Sequence, residues 1–137
     1  MPYRSNIYDF LVPIDYGFIH GDEDFLKGQL GHSLMRNNDL DGADLVLIGC
    51  CEYRGQGESR PLRGADRVRK QLYRLYHWHA DVQVADLGNI MVGDKLSDSY
   101  AALESVIKDL VTTGKKVMLL GGSHDNTIAI YRAFASR

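Results

Sequence analysis

Three short runs rich in apolar residues, each stopping at a glycine with polar residues around it, constrain this chain more than anything else in it. They are residues 45–48 before Gly49, residues 82–87 before Gly88, and residues 117–120 before Gly121. A continuous apolar run bounded in this way reads as a strand buried on both faces. Segments of helical spacing separate and follow the runs. Leu62, Ala65, Val68, Leu72 and Leu75 come after the first, behind Pro61, a residue that a first helical turn accepts. Leu103, Val106, Ile107, Leu110 and Val111 come after the second and match the i, i+3, i+4, i+7, i+8 pattern. Ser97 or Ser99 can cap that helix, Gly114 stands at its C′ position, and Lys115 and Lys116 lie beside the negative end of its dipole. Ile128, Tyr131 and Phe134 mark a last helix.

Strands alternating with helices imply a parallel sheet joined by right-handed crossovers. The predicted fold class is therefore α/β, a three-layer α/β/α arrangement in a single domain over residues 1–137. Residues 43–137 supply a βαβαβα core, and residues 1–42 an irregular amino-terminal cover. Within that cover residues 9–14 read as a short strand or extended segment, and Pro13 rules against a central one. Residues 21–42 read as a helix or two plus loops.

Composition narrows the function. Hydrophobic residues make up 45% and charged residues 25%, the balance of a packed domain rather than a disordered one. A net charge of −2 speaks against non-specific nucleic-acid binding, which needs a basic surface. No run approaches the roughly 18 apolar residues of a membrane span, and Met1-Pro2-Tyr3-Arg4 lacks the apolar core of a signal peptide. Cys50 and Cys51 are the only cysteines and are adjacent, so no disulfide framework is visible. A cytoplasmic chain with no nucleic-acid and no membrane partner is expected.

Ligands of open parallel sheets bind beyond the carboxyl ends of the strands. There the chain places Gly49-Cys50-Cys51-Glu52, Asp86-Leu87-Gly88-Asn89 and Gly121-Gly122-Ser123-His124-Asp125. The third is the most informative, because two glycines free the backbone and bring His124 to the mouth of the sheet near a helix start. A plain hydrogen-bonded histidine is the competing reading of His124. Glu52 and Asp86 orient loops or cap local turns. His77-Trp78-His79 would pair two imidazoles if it were a strand, but a wet loop is the simpler reading. Arg60, Arg63, Arg67, Arg69, Lys70 and Arg74 read as a solvated helix face.

Leu120-Gly121-Gly122-Ser123-His124-Asp125 resembles the Gly-Gly-Asp-His-Ser segment of arginases, agmatinases and formimidoylglutamases, whose histidine binds one ion of a two-manganese centre. Two further matches precede it in the family's order. One is Leu47-Ile48-Gly49 with Glu52 and Arg54-Gly55; the other, Asp86-Leu87-Gly88-Asn89, is similar to the family's Asp-Leu-Gly-Asp. The resemblance covers residues 43–132 and is nearest the formimidoylglutamase-like branch. It implies the amino-terminal portion of an arginase-like fold, with the first of the three strands central in a 2-1-3 order. It also implies Mn²⁺ as cofactor, His124 as a metal ligand, and a small-molecule amidine or guanidine as substrate.

Ser123 and Asp125 depart from the family pattern, and no Asp-x-His-x-Asp or Asp-x-Asp segment follows His124. The expectation is thus a truncated hydrolase with no assignable catalytic acid or base, inactive alone. It should self-associate as a homo-oligomer along residues 117–120, whose far edge would lack a neighbour. Two rival readings are a non-catalytic module that binds phosphate or another anion at Gly121-Gly122-Ser123, and an assembly domain without a ligand.

Overall fold

In a computed structural model, which describes residues 7–135, the three apolar runs become the parallel strands of one sheet. Strand β2 (Leu45–Cys50) is central, paired in parallel with β3 (Val84–Ile90) on one side and β4 (Lys116–Gly121) on the other. These three therefore lie in the expected 2-1-3 order. A fourth strand corrects the expectation of a purely parallel sheet. Strand β1 (Leu11–Val12) pairs antiparallel with β3, Leu11 opposite Ile90 and Val12 opposite Asn89, which gives the order β1-β3-β2-β4. Pro13 follows β1 directly, and a residue without an N–H suits the end of an edge strand. Further along the same edge the side chain of Asn38 stands in for a strand. Its amide donates to Asp86 O and accepts from Asp86 N, both at 2.8 Å.

Helices cover both faces. Val46 and Ile48 of β2 point into the larger core, against α4 (Leu96–Thr112) and α5 (Thr127–Ala135). All five apolar residues of the α4 stripe are buried, as expected. Neither Ser97 nor Ser99 caps this helix; Asp98 instead accepts a bond from Lys95 N at 3.1 Å. Gly114, at φ 81°, ends it as anticipated. The opposite face carries α3 (Gly64–Leu72), and α1 (Tyr16–His20) and α2 (Leu30–Arg36) add a second core of Ile19, Phe25, Leu30, Leu34 and Tyr73.

Two helices bury a face other than the expected one. On α5, Ile128, Tyr131 and Phe134 are exposed, while Ala129 and Ala133 are buried against the α4 side of the core. Small residues let helix axes approach closely, so alanine rather than the larger side chains forms that contact. On α3, which begins at Gly64 beyond Pro61, Val68 is exposed and Ala65, Asp66 and Arg69 are buried. Arg69, expected in solvent, is 0% exposed. The sheet admits it because Gly49 has no side chain: a Cβ there would stand 2.9 Å from Arg69 Nη1. No helix among the described residues is long and apolar enough to cross a membrane.

Candidate functional site

Because β2, β3 and β4 run in parallel, their carboxyl ends release three loops on one side of the sheet. The turn after β4 is built on two left-handed glycines, Gly121 at φ 78° and Gly122 at φ 83°. Only glycine adopts that geometry freely, and a Cβ on Gly122 would also press on Cys50 Sγ at 3.0 Å and Asn126 Nδ2 at 2.8 Å. The chain then enters a short 3-10 turn, His124–Asn126, that leads into α5. His124 is exposed at this mouth, whereas its neighbours Ser123 and Asn126 are buried.

Glu52 holds the turn in place. Its carbonyl oxygen accepts from Ser123 N at 3.1 Å, Ser123 Oγ at 3.3 Å and Asn126 Nδ2 at 3.2 Å. Its carboxylate, in a residue only 2% exposed, accepts from Arg54 N at 2.9 Å, Arg54 Nη2 at 2.7 Å and Ser99 Oγ at 2.6 Å. Arg54 continues to the carbonyls of Gly93 and Asp94, both at 2.7 Å, in the loop between β3 and α4. Burial pushes the Glu52 carboxyl up, but bonds from Arg54 and Ser99 outweigh it and hold the group at about 2. The carboxylate of Asp125 accepts a bond from Tyr100 on α4 and packs over Gly55. Burial again opposes ionisation, and hydrogen bonds from Ser123 and Tyr100 reverse it, so Asp125 is shifted down. The bond to Asp125 pushes Tyr100 up to about 12.

The other candidates fall elsewhere. Asp86 is not at the mouth; it lies within β3, bonded to Arg69 Nε at 2.8 Å and Nη2 at 2.9 Å beneath the sheet. Cys50 is buried and Cys51 half-buried, both free, and burial raises the Cys50 thiol to about 11. His77 and His79 lie in an irregular segment; His77 Nε2 bonds Val82 O, and the Trp78 ring rests on His79 with centroids 3.8 Å apart. The Glu52–Arg54–Ser99 cluster and the buried Arg69 were not legible as such. The only sequence signal for the latter is Asp66 and Arg69 at i, i+3 spacing.

An anion cradle needs free backbone N–H groups, and Ser123 N is already taken by Glu52 O, which counts against that reading. A bound metal needs several donors. Among the described residues no three His, Cys, Asp or Glu side chains stand close enough to share an ion, so these residues alone do not fit a metal centre.

A family model described as the arginase family matches residues 43–137. A formimidoylglutamase from Klebsiella pneumoniae is 28% identical over 87 residues, which are 60% of this chain and 27% of that protein. Among solved structures, an arginase superfamily protein from Trypanosoma cruzi superposes with a TM-score of 0.63 at 22% identity, over 81% of this chain and 41% of that one. A Trypanosoma cruzi formiminoglutamase with Mn²⁺ gives 0.57 at 24% identity, over 79% and 41% respectively. The chain thus spans 27% of that curated relative and 41% of each of these two solved chains.

Proposed function

The chain belongs to the arginase family, and from that premise we propose that it is the amino-terminal portion of a manganese-dependent hydrolase of linear amidines or guanidines, similar to formimidoylglutamase. The observation that carries this reading is the Gly121-Gly122-Ser123-His124 turn at the carboxyl end of a parallel strand beside the central one, with the imidazole facing outward. In this reading His124 is the ligand position that the chain contributes, and Mn²⁺, where bound, would supply an activated water. No hydrolytic step is assigned to the described residues, since they do not assemble three donors. The remaining ligands would come from polypeptide outside residues 7–135, and the isolated chain would have no turnover. Small-molecule amidines are the substrates proposed for the whole protein. A second copy of the chain is the partner proposed for β4, which stands at the sheet edge.

The parent reading frame decides the matter. It is expected to continue through Asp-x-His-x-Asp and Asp-x-Asp segments. Expressed whole, it should release formamide or urea only with Mn²⁺ and lose that activity in His124→Ala. The 137-residue chain should hydrolyse none of arginine, agmatine and formimidoylglutamate. Turnover by the chain alone that vanishes in His124→Ala would show that the ligands are within it after all.

A further inference from the structure

Glu52 acts at both of its ends. The carboxylate grips Arg54 and Ser99, and through Arg54 it reaches the β3–α4 loop. The carbonyl oxygen grips Ser123 and Asn126, which flank the His124–Asp125 pair in sequence. One buried residue therefore links the loops after all three parallel strands, and His124 projects from the last of them. We propose that Glu52 is a positioning residue, which through Arg54 and Ser99 fixes its own loop and through its carbonyl oxygen fixes the turn from which the His124 imidazole projects. This rests on the reading of His124 as the functional side chain of the site.

The chemistry of the cluster calls for a carboxylate. Arg54 N, Arg54 Nη2 and Ser99 Oγ all donate toward it, and an ionised carboxyl is an acceptor only, with sites for all of them. A glutamine would turn an NH₂ group toward one of those donors. Water cannot repair the loss at a residue 2% exposed, so the loop must shift instead. The carbonyl belongs to the same residue, so a shift of the loop carries the Ser123 contact with it.

The alternative role is general stability, and amide exchange separates the two. The wild-type 137-residue chain is compared by NMR with Glu52→Gln and, in case that variant fails to fold, with Arg54→Gln, whose side chain is 28% exposed. Exchange at Ser123 and Asn126 is expected to rise about tenfold or more beyond any rise at Val46 and Leu47 in central β2, which report the chain's overall stability, with shifted His124 ring resonances. Arg54→Lys keeps the charge without the fork and should fall between. Unchanged exchange at Ser123 and Asn126 would overturn the proposal. A rise shared equally by Val46 and Leu47 would also overturn it, because the role would then be general. Mn²⁺ added to the wild-type chain tests the underlying reading separately. Paramagnetic broadening of His124 ahead of His20, His32, His77 and His79 supports it. Broadening spread evenly over the five histidines removes the ligand role whatever the exchange result.

Discussion

Replacing Arg69 by methionine should be among the most damaging single changes this chain can suffer. The side chain is 0% exposed and makes five hydrogen bonds: two to Asp86 at 2.8 and 2.9 Å, and one each to Asp66 at 3.0 Å, Asn89 at 2.6 Å and Gly88 O at 2.9 Å. Methionine fills much of the volume but leaves the wholly buried Asp86 carboxylate with no cation, and Asp66 with only the half-exposed Arg63. Tyr73 and Gly88 N still donate to Asp86, which softens the loss without cancelling the charge. Removing one partner of a buried pair typically costs about 3–5 kcal/mol, against a total stability of about 5–15 kcal/mol for a domain.

With a urea m-value of about 2 kcal/mol/M, the midpoint should fall by roughly 2 M. Far-UV circular dichroism is the suitable probe, since Trp78, the one tryptophan, is 78% exposed and would report little. Arg69→Lys should recover part of the loss, because it restores a charge but not the two-pronged contact with Asp86. The double variant with Asp86→Asn is the sharper test. If the cost arises from a stranded charge, the double variant must be more stable than the sum of the single losses by about 2 kcal/mol or more. A midpoint drop below about 0.5 M for Arg69→Met, or strict additivity in the cycle, would refute the reasoning.

Glu52 should give the chain a pH-dependent increment of stability. Its carboxyl is lowered from 4.5 to about 2 in the folded state, so the increment is complete above 4.5 and lost as pH falls from 4.5 toward 2. It is at most roughly 3 kcal/mol, and urea midpoints of Glu52→Gln should fall less steeply with acid over that window; parallel profiles would exclude it. Self-association should appear in sedimentation at tens of micromolar, because β4 lies at the sheet edge with Met118 exposed on one flank and Ile128 and Tyr131 exposed on the α5 flank. Met118→Lys should return the chain to monomer, and a wild-type monomer at those concentrations would dismiss the idea.

The sequence was legible where burial is apolar and local, and illegible where it is polar and distant. The three parallel strands announce themselves as apolar runs with a glycine near the carboxyl end, although only Leu120 of β4 is buried, and α4 shows its buried stripe because five large apolar residues form it. The same counting fails on α5, where the buried contacts are Ala129 and Ala133 and the large residues face out. It fails more instructively on α3. Among six basic residues between 60 and 74, nothing local separates Arg69 from its neighbours. What buries it is Asp86, 17 residues on, together with the missing side chain at Gly49. The mouth divides in the same way. Gly121-Gly122 frees the backbone for a sharp turn at the end of a parallel strand, so the placement of His124 at the mouth followed from the sequence. The partners that steady that turn are not, because Glu52 meets Ser99 across 47 residues and Ser123 across 71. One inference was nevertheless open: an aspartate such as Asp86, inside an apolar strand, must find a cation or a ring of donors. On the preceding crossover helix Arg63, Arg69 and Lys70 all stand three or four residues from Asp66, so helical spacing narrows the choice of cation without settling it. The charge of Asp86 therefore calls for a cation from that helix, and only the reach of its carboxylate and the space over Gly49 single out Arg69.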